Sequence, residues 1–456
     1  MRRKRRVPGR KIAGRKNQRG VIITLVAVFM LFVIGAMAAL SIDVVTLYTA
    51  RSEAQLAADA AALAGARVLA NSGMTSDPTG GLIGSAEALA SAVALQVGQQ
   101  SQVGGRNLVA ANGEVVVVGF SGTPTNPCPA PNPAQTNPCI TVHVQRTDLP
   151  TFFARIWGTM KVTVTASATA EAYNPSGASA TPTPVAPMCV KPWLLPNMDP
   201  RDPSGATAIF DPTTGAIIAP TSPTALLGWE SPSPPPDPAT RLSTVCPGGC
   251  SGALPTPVRW KYYPGDPGSF PPPTVALPTC NQIPTPTPYQ YSVVGCIQTP
   301  IACNSTVSID ISPYPTRDTE TVYAVNCLTH SNADQGDKVD PNNTPPAAPF
   351  QFLTGNDNPI PGLAANNVDV MVSDSLVTVP VFDSRGGAVN PVTIIGFVQL
   401  FMSPEGNWAP PFQPPAWGGT LITTVINMAG CGTSAAGTPI VGNGPSPVAV
   451  RLISPP

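Results

Sequence analysis

The residues with the most chemical potential in this chain are ten cysteines: Cys128, Cys139, Cys189, Cys246, Cys250, Cys280, Cys296, Cys303, Cys327 and Cys431. An even number confined to the chain beyond a long apolar run reads as disulfides formed in an oxidising compartment. Thiols held that way are not free to bind zinc. Spacing leaves the connectivity open. The proline-stiffened stretch "NPCPAPNPAQTNPC" makes Cys128 with Cys139 the first candidate pair, and "CPGGC" makes Cys246 with Cys250 the second.

Other chemistry is thin. The two histidines, His143 and His330, are far apart in sequence, with no His-x-x-x-His spacing for a metal. His143 stands between Val142 and Val144 in an alternating run, so it belongs on the face opposite them. The patterns G-x-S-x-G, Walker A and the dinucleotide glycine fingerprint are absent. The acidic stretch "NADQGDKVDPNN" offers Asp334, Asp337 and Asp340, but not at calcium-loop spacing, and reads as a solvated loop. "DISPY" at Asp310 lacks the second serine of a D-x-S-x-S metal site. No catalytic, cofactor-binding or metal-binding residue can be named, so the expectation is a protein that is not an enzyme and takes no cofactor.

The elements that position these residues start from a charge boundary. Residues 1–20 hold seven Arg and three Lys with no acid, in a chain of zero net charge. The remainder is therefore acidic, by about ten charges. Between the two lies "VIITLVAVFMLFVIGAMAALS", Val21 to Ser41, uncharged throughout. As a helix it is about 31 Å long, the thickness of a bilayer core. Basic residues on its N-terminal side place that side in the cytoplasm and the bulk of the chain outside a cell membrane, as a single-pass protein. A cleaved secretory signal is the alternative, but such signals have a shorter apolar core and an A-x-A site before a loop. Nucleic-acid binding by the basic tract is not needed to explain it.

Residues 42–70 continue the helix in an alanine-rich sequence. Val45, Leu56 and Leu63 fall within about 20° of one another around it, forming a narrow seam with small residues beside it. Such a seam suits packing against another helix better than seeding a globular core. A rigid spacer of high helix propensity is the plainer alternative.

A second helix is expected over Ser85–Gln99, capped by Ser85. Strands are expected at 113–120, 139–146 and 160–173, with "LPTFFARIWG" a short amphipathic helix between the last two. Residues 71–173 thus read as a small α+β unit. The stretch 174–187 is a Pro/Ser/Thr linker by composition. Residues 188–456, rich in the chain's 58 prolines, read as β-rich and disulfide-containing, with strands at 377–383, 392–402, 419–428 and 448–454 and no clear helix. The fold class is α+β behind one membrane-spanning helix.

The first part of the chain resembles the TadE/TadG-like Flp pilus-assembly proteins of the tight-adherence (Tad) secretion system. The likeness rests on Arg19 and Gly20 opening the apolar run, then Gly35, Asp43, Tyr48, Arg51, Gln55, and the block Ala57 to Ala66 that contains Asp59 and Gly65. "LPTFFARIWGTMKVTVTASATA" is similar to the section that follows in the TadG-like members. The resemblance implies a single-pass inner-membrane protein that helps build or anchor a thin adhesive pilus alongside other assembly subunits, and it supplies no catalytic residues. Pilins of this class that are processed carry Glu at the fifth position after the cleaved glycine. Leu25 stands there, so the anchor is expected to be retained. An anchored surface adhesin or binding module is the alternative function. No small-molecule substrate is indicated.

Overall fold

The computed structural model describes residues 18–77, 80–121, 137–177, 181–202, 206–218, 262–274, 283, 285–310, 317–330, 336–339, 347–356, 373–384, 390–402, 423–442 and 444–453. Its main helices are α1 (Gln18–Asn71), α2 (Ile83–Gln100), α3 (Pro288–Val294) and α4 (Arg317–Leu328). The main strands are β1 (Val115–Ser121), β2 (Cys139–Pro150), β3 (Lys161–Tyr173), β4 (Trp193–Pro196), β5 (Tyr263–Pro264), β6 (Leu376–Phe382), β7 (Val392–Met402), β8 (Thr423–Gly430) and β9 (Ala449–Ile453).

The 54 residues of α1 form one continuous helix, about 81 Å long at the α-helical rise. Its two halves live in different surroundings. From Ile22 to Leu40 large apolar side chains stand bare, with Leu31 and Phe32 each 73% exposed. Among the described residues α1 is the one helix long and apolar enough to cross a membrane. From Ala50 onward the helix is embedded. Ala50, Ala54, Ala57, Ala58, Ala61, Ala62 and Ala66 are buried against α2 and a four-stranded sheet.

That sheet has the order β9-β3-β2-β1 and is antiparallel throughout. Its register sets large residues beside small ones: Ile140, Val142 and Val144 of β2 pair with Ala170, Ala168 and Ala166 of β3. All six face the helix side with the alanines of α1. Alanine on both surfaces lets a helix lie close to a sheet, and close packing supplies the dispersion energy that small side chains lack individually. The side chain of His143 lies on the other face, within 2.9 Å of the Ser167 hydroxyl.

The second sheet runs β8-β7-β6-β4-β5, with β4 parallel to β6 and the other pairs antiparallel. Val377, Val379 and Val381 of β6 and Val398, Leu400 and Met402 of β7 form one buried face with Tyr289 and Val293 of α3 and Val322 and Val325 of α4. The opposite face packs Phe382, Ile394 and Phe397 against Tyr263, Phe270 and Tyr173. Cys189–Cys296 and Cys303–Cys431 close loops of 107 and 128 residues through this region.

Five expectations are corrected. Helices α3 and α4 stand in the region read as lacking helix; α3 begins with a capping box in which Thr287 and Gln290 satisfy each other's backbone N–H. The segment read as an amphipathic helix instead extends β2 to Pro150, followed by a single 3-10 turn at Ala154–Trp157, because pairing with β3 outweighs the local period. The N-cap of α2 is Leu82 and not Ser85, whose hydroxyl donates back to the Leu82 carbonyl. The terminal strand β9 completes the first sheet. The segment composed like a linker is held to the second sheet's surroundings: Val185–Ala186 pairs with Ile440–Val441, and the Ser176 hydroxyl and Gly430 bond each other.

Candidate functional site

The stem of α1 beyond Ser41 is tied to the rest of the chain at four levels. At the first, Asp43 is buried and its carboxylate accepts the backbone N–H groups of Phe152 (2.9 Å), Phe153 (3.0 Å) and Ala154 (2.8 Å). These donors open a helical turn, where N–H groups have no partner within the helix. The Phe152 N–H, with those of Ala154 and Phe153, holds the Asp43 carboxyl below its usual range against the opposing effect of burial. The tip of the β2–β3 hairpin is thereby fixed beside the helix.

At the second level Gln55 donates to the Ser167 carbonyl (3.2 Å) and to Asp59 (2.8 Å), while Glu53 accepts the Gly104 N–H (2.6 Å). The Gly104 turn is itself held by Arg146, which donates to the carbonyls of Val103 and Gly104 and to Asp148. Arg106 bridges Glu114 and Asp148 beside it. Hydrogen bonds from Arg106, then Arg146, bring the Asp148 carboxyl down to about 2.

The third level is Gly65. A Cβ there would lie 2.5 Å from Ile140 Cδ1 and 3.3 Å from both the Ala90 carbonyl oxygen and Ala94 Cβ. A side chain there would force Ile140 to shift and press on Ala90 and Ala94, so glycine gives α1, α2 and β2 their closest approach at that point. At the fourth level, Asn427 of β8 donates to the Ala70 carbonyl and accepts from the Ser76 hydroxyl. Gln399 of β7 donates to Asn71 Oδ1 (3.3 Å). The end of the stem is thus joined to the second sheet by polar side chains from which solvent is excluded.

The outward face is different. Val45 (65% exposed), Tyr48 (78%) and Leu56 (66%) carry no tertiary cover, and Thr49, Ser52 and Arg51 are exposed around them. Leu63 is partly buried and packs against the core. The sequence-based seam of Val45, Leu56 and Leu63 is therefore not the surface on which the fold closes. The alanine face closes it, and the α2 partner helix comes from the same chain. Arg19 and Gly20 lie in the first turns of α1, with the Arg19 side chain outside the described residues.

No group of three metal-capable side chains occurs among the described residues. Asp337 is a buried acceptor for the Gly355 N–H and the Ser373 hydroxyl, which is structural work; Asp334 and Asp340 lie outside the described residues. His330 pairs with Asp374. Cys139 and Cys327 are disulfide-bonded, whereas Cys128, Cys246, Cys250 and Cys280 lie outside the described residues.

A helix that is bare and apolar for one half and clamped to its own chain for the other is the frame in which the comparison with known families reads. Residues 20–68 match the family described as putative Flp pilus-assembly TadE/G-like. This TadE/G-like segment spans the bare apolar stretch and the stem as far as Val68, so it contains Asp43, Gln55 and Gly65 but none of their partners in β2, β3, the turn between those strands and α2. No curated protein and no solved structure matches the chain. The role of Asp43 escaped the sequence because its donors are about 110 positions away. The one local signal was a lone acid directly after an apolar run.

Proposed function

We propose that this protein is a membrane-anchored, non-catalytic assembly component of a Flp/Tad-type pilus, similar to the TadG-like members, with its N-terminus in the cytoplasm and the bulk of the chain outside the cell membrane. The observation that carries this reading is the coincidence of the TadE/G-like match at 20–68 with the two-part helix. The basic tract of residues 1–20 supports the orientation. The mechanism is positioning. Asp43, Glu53, Gln55 and Gly65 fix the exported fold to the stem, so the outward stripe Val45, Thr49, Ser52 and Leu56 is presented rigidly to a neighbouring subunit's helix.

Small side chains beside two apolar ones give such a stripe a close and selective contact. Because these positions are exposed, changing them leaves the fold intact. Val45→Asp with Leu56→Asp is expected to abolish co-purification with pilus components while membrane insertion and thermal stability stay unchanged. Undiminished co-purification would overturn the proposal.

A further inference from the structure

The β2–β3 hairpin carries an apolar tip that the fold leaves uncovered. Phe152 is 61% exposed and Met160 65%, although each is next to a residue engaged elsewhere. Thr151 donates to the Thr159 carbonyl, and the three N–H groups from Phe152 to Ala154 reach Asp43. Two cations flank the apolar pair, Arg155 and Lys161, both exposed. Apolar side chains bordered by Arg and Lys are the composition of a segment that lies in a bilayer interface.

Position along the helix gives the tip its level. Asp43 is two residues beyond Ser41, about 3 Å along the helix axis. Gln55 meets Ser167 of β3, and Gly65 faces Ile140, which pairs with Ala170. The stem and β3 therefore run side by side in the same direction, and the hairpin tip is the end of the sheet nearest the bare apolar run. Asp43 holds it there with three hydrogen bonds and not through flexible packing.

We propose that residues 151–161 form a foot that seats in the outer headgroup layer of the membrane, with Phe152 and Met160 entering the acyl boundary and Arg155 and Lys161 meeting anionic phospholipid headgroups. The proposal rests on the reading of Val21–Ser41 as a membrane span. The foot gives the exported fold a second point of support, so the stem's tilt about its exit point is restricted. Residues on the outward stripe of the stem are then displayed at a fixed height and heading.

The test places a nitroxide on single added cysteines in the full chain, reconstituted in vesicles of phosphatidylcholine with phosphatidylglycerol. Phe152→Cys and Met160→Cys report the foot, Phe29→Cys the span, and Thr165→Cys an exposed site further along β3. The expected result is an oxygen-to-nickel-chelate collision ratio at positions 152 and 160 several-fold above that at 165 and approaching that at 29. A high ratio at 29 with 152 and 160 equal to 165 would overturn the foot alone and leave the span standing. A low ratio at 29 would overturn the span and the foot together. Arg155→Gln with Lys161→Gln is expected to lower the ratio at 152 when phosphatidylglycerol is present, and no dependence on that lipid would refute the role given to the cations.

Discussion

The two sheets of this molecule are packed by opposite means. The first is covered by α1 and α2 through Ala54, Ala58, Ala61, Ala62, Ala90 and Ala94, and its main buried cluster contains no aromatic residue. The second is filled by Trp193, Phe210, Tyr262, Phe382, Phe397 and Phe401 and crossed by two disulfides among the described residues. An alanine core holds by the closeness of its backbones, so it tolerates no added bulk. An aromatic core holds by area removed from water, so it tolerates no lost bulk. The difference suits the proposed work of each part: a helix must stay straight where it emerges from a membrane, while the outer fold can be built from whatever fills it.

Substitutions of opposite sense should expose that contrast. Phe397→Ala removes a fully buried ring from the second sheet and is expected to cost about 3–5 kcal/mol, read as a lowered urea midpoint. Gly65→Leu adds bulk where α1, α2 and β2 converge and is expected to cost about 1–3 kcal/mol, the usual range for overpacking. Leu56→Ala, on the exposed face of the same helix, should change stability by less than about 0.5 kcal/mol. If Gly65→Leu proved as mild as Leu56→Ala, the alanine core would not be close-packed in the way described.

A further, pH-dependent effect is electrostatic. With its folded pKa near 2, against an ordinary 3.8, the Asp148 carboxylate contributes stability above about pH 4 that is lost as pH falls toward 2. Glu114, also held low by the Arg106 hydrogen bond, acts in the same direction. Asp148 is 39% exposed, so solvent screens the pair and its share is under about 1 kcal/mol. Asp148→Asn should therefore flatten, without abolishing, the fall in urea midpoint between pH 4 and pH 2. An unchanged slope would show that the Arg106–Asp148 contact does not couple to folding.

Sequence reading reached some of this architecture and not the rest, for definite reasons. β2, β3, β6, β7 and β8 were legible because Val, Ile and Thr alternate or run continuously between turn residues. α4 was not, since "RDTETVYAVNCL" mixes β-branched and polar residues without a sharp face, and α3 is short and hemmed by prolines. For α3 the T-x-x-Q capping pattern at Thr287–Gln290 was a usable signal that the surrounding prolines hid. The seam of Val45, Leu56 and Leu63 divides in the structure, with Val45 and Leu56 exposed and Leu63 packed against the core. Which face the fold itself uses was not readable, because alanine on a helix surface signals neither burial nor exposure until a sheet of matching small residues is placed against it.

The central claim is that the stem has two faces with two jobs: an alanine face that closes this chain's own fold and an outward stripe that meets another subunit. A photo-crosslinking residue placed at Leu56 in the intact pilus-producing cell tests it most directly, with Thr165, exposed on β3 away from the stripe, as the control. The account predicts an intermolecular adduct with a pilus-assembly component from position 56 and none from position 165. An adduct-free stem at Leu56 in cells that assemble pili normally would contradict it.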